Sequence, residues 1–326
     1  MRFRSHLIPC LLLSVLVRVT PVPANGDPQA ALRAEIDRRY RLDPASSLDS
    51  RVRKTPATVL KLFVEGHAVR PTPHTLTAEE RLKLSAAFAA LPPLHQQVLR
   101  ERLRSVSFLD GMPNTALTST VNPDTPFQLF DITIRAAILH QTASEWLTEK
   151  ERSCFDAAGS PLSVSIEAGQ RDAIVYVLLH EATHILDASL GITPSVWFGK
   201  KPTGGARPTA FTRGVWKQRA TPVPAYHDPL REHVRFYAGG KTLPMARAEA
   251  VYRSLRRTPF ASLYGSSNWY EDLAEYVAVY HWTEVLKQPY RIVIRKEGKE
   301  VFAYEPMQSS LVRSRAGQMK RFYQIL

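Results

Sequence analysis

The stretch YVLLHEATHILDA, residues 176 to 188, sets His180, Glu181 and His184 into a run that otherwise reads as buried helix. It restricts the fold tightly, because polar groups buried in an apolar helix need partners. Four residues of α-helix advance about 400°, so His180 and His184 lie within about 40° of each other, one turn apart on one face. Two imidazoles so placed can reach one Zn²⁺ at about 2.0 to 2.1 Å. Glu181 points to the side, too far round to ligate but placed to take a proton from a metal-activated water. A chance H-E-x-x-H is expected on the order of 0.01 times in a chain like this one. A lone core histidine is ordinarily satisfied by a carbonyl; two at ligand spacing around a glutamate point to a metal. The helix is expected to start near Arg171 or Asp172 and to stop at Gly191, which suits a left-handed C-terminal cap.

Such a metal needs a third ligand. The continuation HExxHxxGxxH is absent, since Asp187, Ser189 and Leu190 follow His184. A later helix, NWYEDLAEYVAVYHWTEVL, offers a carboxylate instead. Glu271 and Glu275 are four apart on a face shared with apolar residues, where like charges would repel. With Glu271 on the metal its charge is balanced, and Glu275 can accept a hydrogen bond from the far nitrogen of a ligand histidine, fixing its tautomer. Helix phase turns Asp272 elsewhere. A solvated acidic stripe is the plainer alternative. His227, His233 and His281 read as structural or solvated.

HEATH followed by YEDLAEY resembles the gluzincin class of zinc metallopeptidases, whose third ligand is a glutamate on a second helix. The form E-x-x-x-E with Ala274 before Glu275 is similar to anthrax lethal factor and the Pro-Pro endopeptidases, and differs from thermolysin, which has Asp four residues after its ligand. The resemblance spans roughly residues 120 to 285 and implies an α+β, zincin-like fold. In it a mixed sheet packs on the HExxH helix and a mainly helical C-terminal part carries the third ligand. Those relatives place a tyrosine seven residues before the ligand glutamate; that position is Tyr264, which would donate a hydrogen bond to the oxyanion. They also hold substrate as an added strand on a sheet edge beside the metal, for which FDITIRAAIL is the candidate here. The gap from His184 to Glu271 is longer than in those relatives.

The rest of the 326 residues sets the context. With 44% apolar and 22% charged residues the chain can bury a sizeable core and is not a disordered protein. Residues 1–24 read as a secretory signal peptide: MRFRSH is cationic, LIPCLLLSVLVRV is an apolar run broken by Arg18, and Val22 to Ala24 suits cleavage. That run is shorter than the roughly 20 apolar residues of a membrane span. No later stretch reads as a span, so the mature chain is expected without a transmembrane segment, in a periplasm or outside the cell. Cys10 leaves with the signal, and Cys154 is then expected as a buried structural thiol.

Residues 25–115 look helical and subsidiary, a helical N-terminal subdomain or a removable pro-segment; LTAEERLKLSAAFAAL carries a capping-box signature at Thr77 and Glu80. Residues 116–326 are expected to form the catalytic domain, with a basic insertion at 192–259. The whole chain carries +13, and thirteen Lys or Arg against Asp228, Glu232 and Glu249 put a surplus of +10 in that insertion. Such a segment attracts acidic polypeptides, anionic membranes, wall polymers or nucleic acid, or is a solvated basic face; export makes nucleic acid the poorest fit. The expected function is an exported zinc-dependent endopeptidase with Zn²⁺ on His180, His184 and Glu271, Glu181 as general base, and a polypeptide substrate with acidic side chains favoured. A catalytically silent binding protein of the same fold and a zinc hydrolase of a wall amide are the alternatives.

Overall fold

Side-chain caps fix where several of the helices begin. The computed structural model describes residues 28–66, 70–194, 207–236 and 242–324, so the expected signal peptide lies outside them. The α-helices are α1 (Pro28–Tyr40), α2 (Ala57–Gly66), α3 (Ala78–Ala89), α4 (Pro93–Arg102), α5 (Ala143–Arg152), α6 (Ala173–Leu190), α7 (Pro229–Glu232), α8 (Ala248–Leu255), α9 (Trp269–Tyr280) and α10 (Ser310–Arg313). Full capping boxes open α3, at Thr77 and Glu80, and α5, at Thr142 and Glu145. Asp172 precedes α6, and Gly191 ends it in the left-handed conformation, φ 62° and ψ 44°, as its sequence requires. Beyond Tyr280, α9 widens into a π-helical turn over His281–Val285.

The strands are β1 (Thr72–His74), β2 (Leu103–Asp110), β3 (Ala116–Thr120), β4 (Phe130–Arg135), β5 (Phe155–Asp156), β6 (Leu162–Glu167), β7 (Trp216–Gln218), β8 (Thr221–Pro222), β9 (Leu243–Pro244), β10 (Arg291–Lys296) and β11 (Lys299–Tyr304). They form small mixed sheets, and the class is α+β. The main sheet has the order β1-β2-β4-β3, with β2 and β4 parallel and the outer pairings antiparallel. A second sheet, β11-β10-β6, is antiparallel, and its hairpin turns at Glu297 and Gly298, both at positive φ.

Two expectations change. FDITIRAAIL is not an edge strand: only Phe130–Arg135 is extended, it is paired on both sides, and its first five residues are buried. The edge beside α6 is β3, whose five residues are all half-exposed. Residues on the two sides of position 115 pack together. β2 lies parallel to β4 across it, α3 and α4 pack on α6, and one hydrophobic core includes Leu84, Leu99, Val106, Ile132, Leu178 and Val277. Finally, α6 is long and apolar enough to cross a membrane, with a mean hydropathy of 1.2, but it is the central helix of this core, 78% buried inside the protein.

The basic segment is built into the same core. Phe211, Trp216, Val251, Tyr252 and Leu255 are buried in it, and β9 pairs with β5. The segment's described residues, 207–236 and 242–259, fold into short elements held by these apolar anchors.

Candidate metal centre

The apolar sides of α6 bury it against α3, α4, α5 and α9 and leave its polar trio facing α9 and β3. Asn268 fixes the start of α9: its side-chain oxygen accepts from the Tyr270 and Glu271 backbone N–H groups at 3.0 and 3.2 Å, which sets Glu271 in the first turn. Glu271 Oε2 then lies 3.0 Å from His180 Nε2 and 3.5 Å from His184 Nε2, and the two imidazole nitrogens are 3.2 Å apart. All three ligand atoms lie within 4.8 Å of one another, and this group could hold a metal ion.

Both nitrogens of His180 are engaged. Its Nδ1 sits 3.0 Å from Glu275 Oε1, the contact expected from a spacing of four on α9. Glu275 is buried and accepts from Lys150 Nζ on α5 at 3.0 Å and from the Tyr176 hydroxyl on α6 at 3.2 Å. Burial opposes its charge, but Lys150 and His180 outweigh burial and hold its carboxyl down at about 2. Glu271 likewise stays well below the usual carboxylate range: burial pushes up, the two imidazoles pull down harder. The reciprocal effect carries His180 up to about 10 against its own desolvation. A cluster that stabilises positive charge this strongly at an imidazole exchanges that proton for a cation when a metal binds.

Glu181 stands apart from the ligand atoms, as its helix phase requires. Its Oε2 accepts from the Thr118 hydroxyl at 2.6 Å, so the edge strand β3 orients it. Tyr264 enters from a short 3₁₀ turn, Tyr264–Ser266, with its ring 5.9 Å from that of His180. The turn lies close on α9: a Cβ on Gly265 would meet Glu275 Cβ and Ser262 Oγ at 3.3 Å. Phe236, from the basic segment, meets the Tyr264 ring edge-on at 4.9 Å, and Lys150 Nζ sits 4.0 Å from that ring's centre. The segment therefore reaches the group through Phe236 against the outer side of Tyr264.

Every sequence-assigned residue, His180, Glu181, His184, Tyr264, Glu271 and Glu275, falls in this one place. Asp272 turns away and binds Arg315 at 2.7 and 2.9 Å and the Trp216 indole at 2.8 Å. His281 contacts the Ala90 carbonyl and the Tyr323 hydroxyl, His227 and His233 are exposed, and Cys154 is buried with its thiol pushed up by desolvation. Sequence reasoning missed Lys150, Thr118 and Tyr176. The signal for Lys150 was available: it falls four residues after Trp146, on the apolar face of α5, where a lysine needs a partner. Comparison with family models, with curated proteins and with solved structures returns no match.

Proposed function

We propose that the protein is an exported, zinc-dependent peptidase of the zincin kind. The observation that carries this reading is the convergence of Glu271 on His180 and His184 while Glu275 holds the far nitrogen of His180. Two imidazoles and a carboxylate suit zinc, and contacts of 3.0, 3.2 and 3.5 Å among the three atoms match the about 3.3 Å between tetrahedral ligands at bond lengths of about 2.0 to 2.1 Å. Zinc held there would polarise a scissile carbonyl and acidify a water.

The chain's own groups supply the rest. Glu181, steadied through Oε2 by Thr118, takes the proton of the attacking water and passes it to the leaving amine. Tyr264 donates its hydroxyl hydrogen to the developing oxyanion. The outer edge of β3 takes no strand among the described residues, and an extended substrate can pair there beside Glu181. The basic segment, reaching the site through Phe236, favours substrates with acidic residues outside the cleavage point. Export rests on the character of residues 1–24.

Glu181→Gln is the test. General acid–base groups contribute about 10²- to 10⁴-fold, so the variant should bind one zinc per chain, read by elemental analysis, and lose peptide hydrolysis by that factor. Full activity in that variant would remove the mechanism; no cleavage of a diverse peptide library by the metal-loaded wild type would remove the function.

A further inference from the structure

Between Asp187 and Asp228 the chain carries six Lys or Arg and no carboxylate, and after Glu305 it carries four more and again none. The fold brings these two stretches together on the side of α9 that Asp272 and Tyr276 occupy, about 100° round the helix from the carboxylates that face the imidazoles. Arg315 is the pin. It is buried, forks onto Asp272 at 2.7 and 2.9 Å, lies 4.0 Å over the ring of Phe211 and donates to the Pro259 carbonyl at 3.2 Å. The Trp216 indole reaches the same carboxylate, and the Tyr276 hydroxyl donates to the Val312 carbonyl at 2.5 Å. Asp272 neutralises Arg315, but the cations on either side are left unneutralised. Arg213 and Lys217 flank Phe211 and Trp216 in sequence, Arg313 comes two residues before Arg315, and Lys320 and Arg321 follow it. All five are exposed, and none pairs with a carboxylate among the described residues. Leu311, a large apolar side chain next to Arg313 in α10, is exposed as well.

We infer that this face docks the protein on a membrane rich in anionic phospholipid. The inference does not depend on the peptidase reading. Single-stranded nucleic acid is held by exposed aromatic planes, whereas Phe211, Trp216 and Phe322, the Phe and Trp side chains of these stretches among the described residues, are buried. A protein partner packs on an apolar interface centre rich in aromatic residues, and the same burial withholds one. Unpaired cations around an exposed leucine suit a lipid surface, which attracts basic side chains by its charge and takes an apolar side chain in among its headgroups.

The test is sedimentation with vesicles of phosphatidylcholine alone, or with one lipid in three replaced by phosphatidylglycerol, using the chain from residue 25, which keeps every described residue. The protein should sediment with the anionic vesicles and not with the neutral ones, and added salt should release it. A basic residue beside an anionic leaflet contributes about five-fold in partition, so Arg213→Gln, Lys217→Gln and Arg313→Gln together should weaken binding on the order of 100-fold. Lys54→Gln, Arg81→Gln and Arg100→Gln remove the same charge from exposed positions in the N-terminal elements and should leave binding within about five-fold. Leu311→Ser should weaken it several-fold with the salt dependence unchanged. Arg213→Lys with Arg313→Lys keeps the charge and should keep the binding, which separates lost charge from a damaged fold. No binding to anionic vesicles, equal binding to neutral ones, or equal losses in the two triple variants overturns the inference. So does retention on heparin at salt concentrations where the vesicles have released the protein, because the face would then belong to an anionic polymer.

Discussion

Lys150 and Glu275 meet in the interior 3.0 Å apart, with side chains 3% and 1% exposed, on the side of His180 away from the other two ligands. Removing one partner of a buried pair leaves an uncompensated charge, and the cost is about 3 to 5 kcal/mol. Lys150→Met should therefore lower the melting temperature markedly, and the double variant with Glu275→Gln should recover much of that loss, because no charge is then stranded. Metal affinity follows a different rule. A carboxylate on the far nitrogen of a ligand histidine orients the ring and raises its basicity, and its loss costs about 10- to 100-fold in affinity. Glu275→Gln and the double variant should both show that weakening in competition with a chromogenic chelator. Equal affinity in Glu275→Gln and wild type would mean that His180 is oriented by packing alone.

At the scale of elements, Glu80 does two jobs. It closes the capping box of α3, and its Oε1 lies 3.1 Å from His74 Nε2 at the end of β1 and 2.9 Å from His140 Nε2 in the 3₁₀ turn after β4. Asp110 on β2 sits 3.2 Å from the other nitrogen of His74, and Lys83 on α3 donates to the Leu139 carbonyl and pairs with Asp172. Burial opposes the charge on both partners, yet their hydrogen bonds prevail: Glu80 is held down at about 2 and His74 is raised above its ordinary 6.5. The Glu80 contribution is present above its ordinary 4.5 and lost as pH falls toward 2; that of His74 is complete below 6.5 and lost as pH rises through its raised value. The clamp is strongest between pH 4.5 and 6.5. Melting curves of wild type and His74→Ala should differ most in that window and converge in alkaline solution; a difference independent of pH would show that the imidazole acts by packing.

The same clamp shows what a sequence makes legible. Thr77 and Glu80 announce a helix start because a capping box is a rule over four residues, and His180 and His184 announce a group that could hold a metal ion because one helical turn is too. The pairing of Glu80 with His74 and His140 follows no local rule. Strand identity behaves likewise: FDITIR looks like a strand and is one, but whether a strand is interior or edge depends on its neighbours, and β3, reading ALTST, lacks the aromatic and β-branched density that marks β4. Thr118 was hidden for that reason. Glu271 and Glu275 were legible because a spacing of four on an apolar helix is conspicuous, whereas Lys150, the partner of Glu275, lies 125 residues from it in the chain.

The whole molecule decides whether residues before 116 can be removed. The underside of α6 is covered by α3 and α4, and buried His95 on α4 places its Nε2 3.0 Å from the hydroxyl of Thr183, between Ala182 and His184. β2 supplies the parallel partner of β4, so without it the main sheet keeps only β4 and β3, a hairpin that is marginal by itself. A chain beginning at residue 116 should therefore lack a cooperative thermal transition and bind zinc no better than an unfolded peptide. Helix α1 differs, since it packs mainly into a small satellite cluster with Leu42 and Leu129. A chain beginning after Tyr40 should keep cooperative melting, one zinc, and the wild-type dependence of cleavage on Glu181. Circular dichroism with heating and elemental analysis on the two truncations separate the cases. A folded, zinc-loaded and active 116–326 would make the earlier residues a true pro-segment; collapse of that chain beside a sound 41–326 places them in the body of the fold, and any activation by proteolysis would then have to fall nearer the N-terminus.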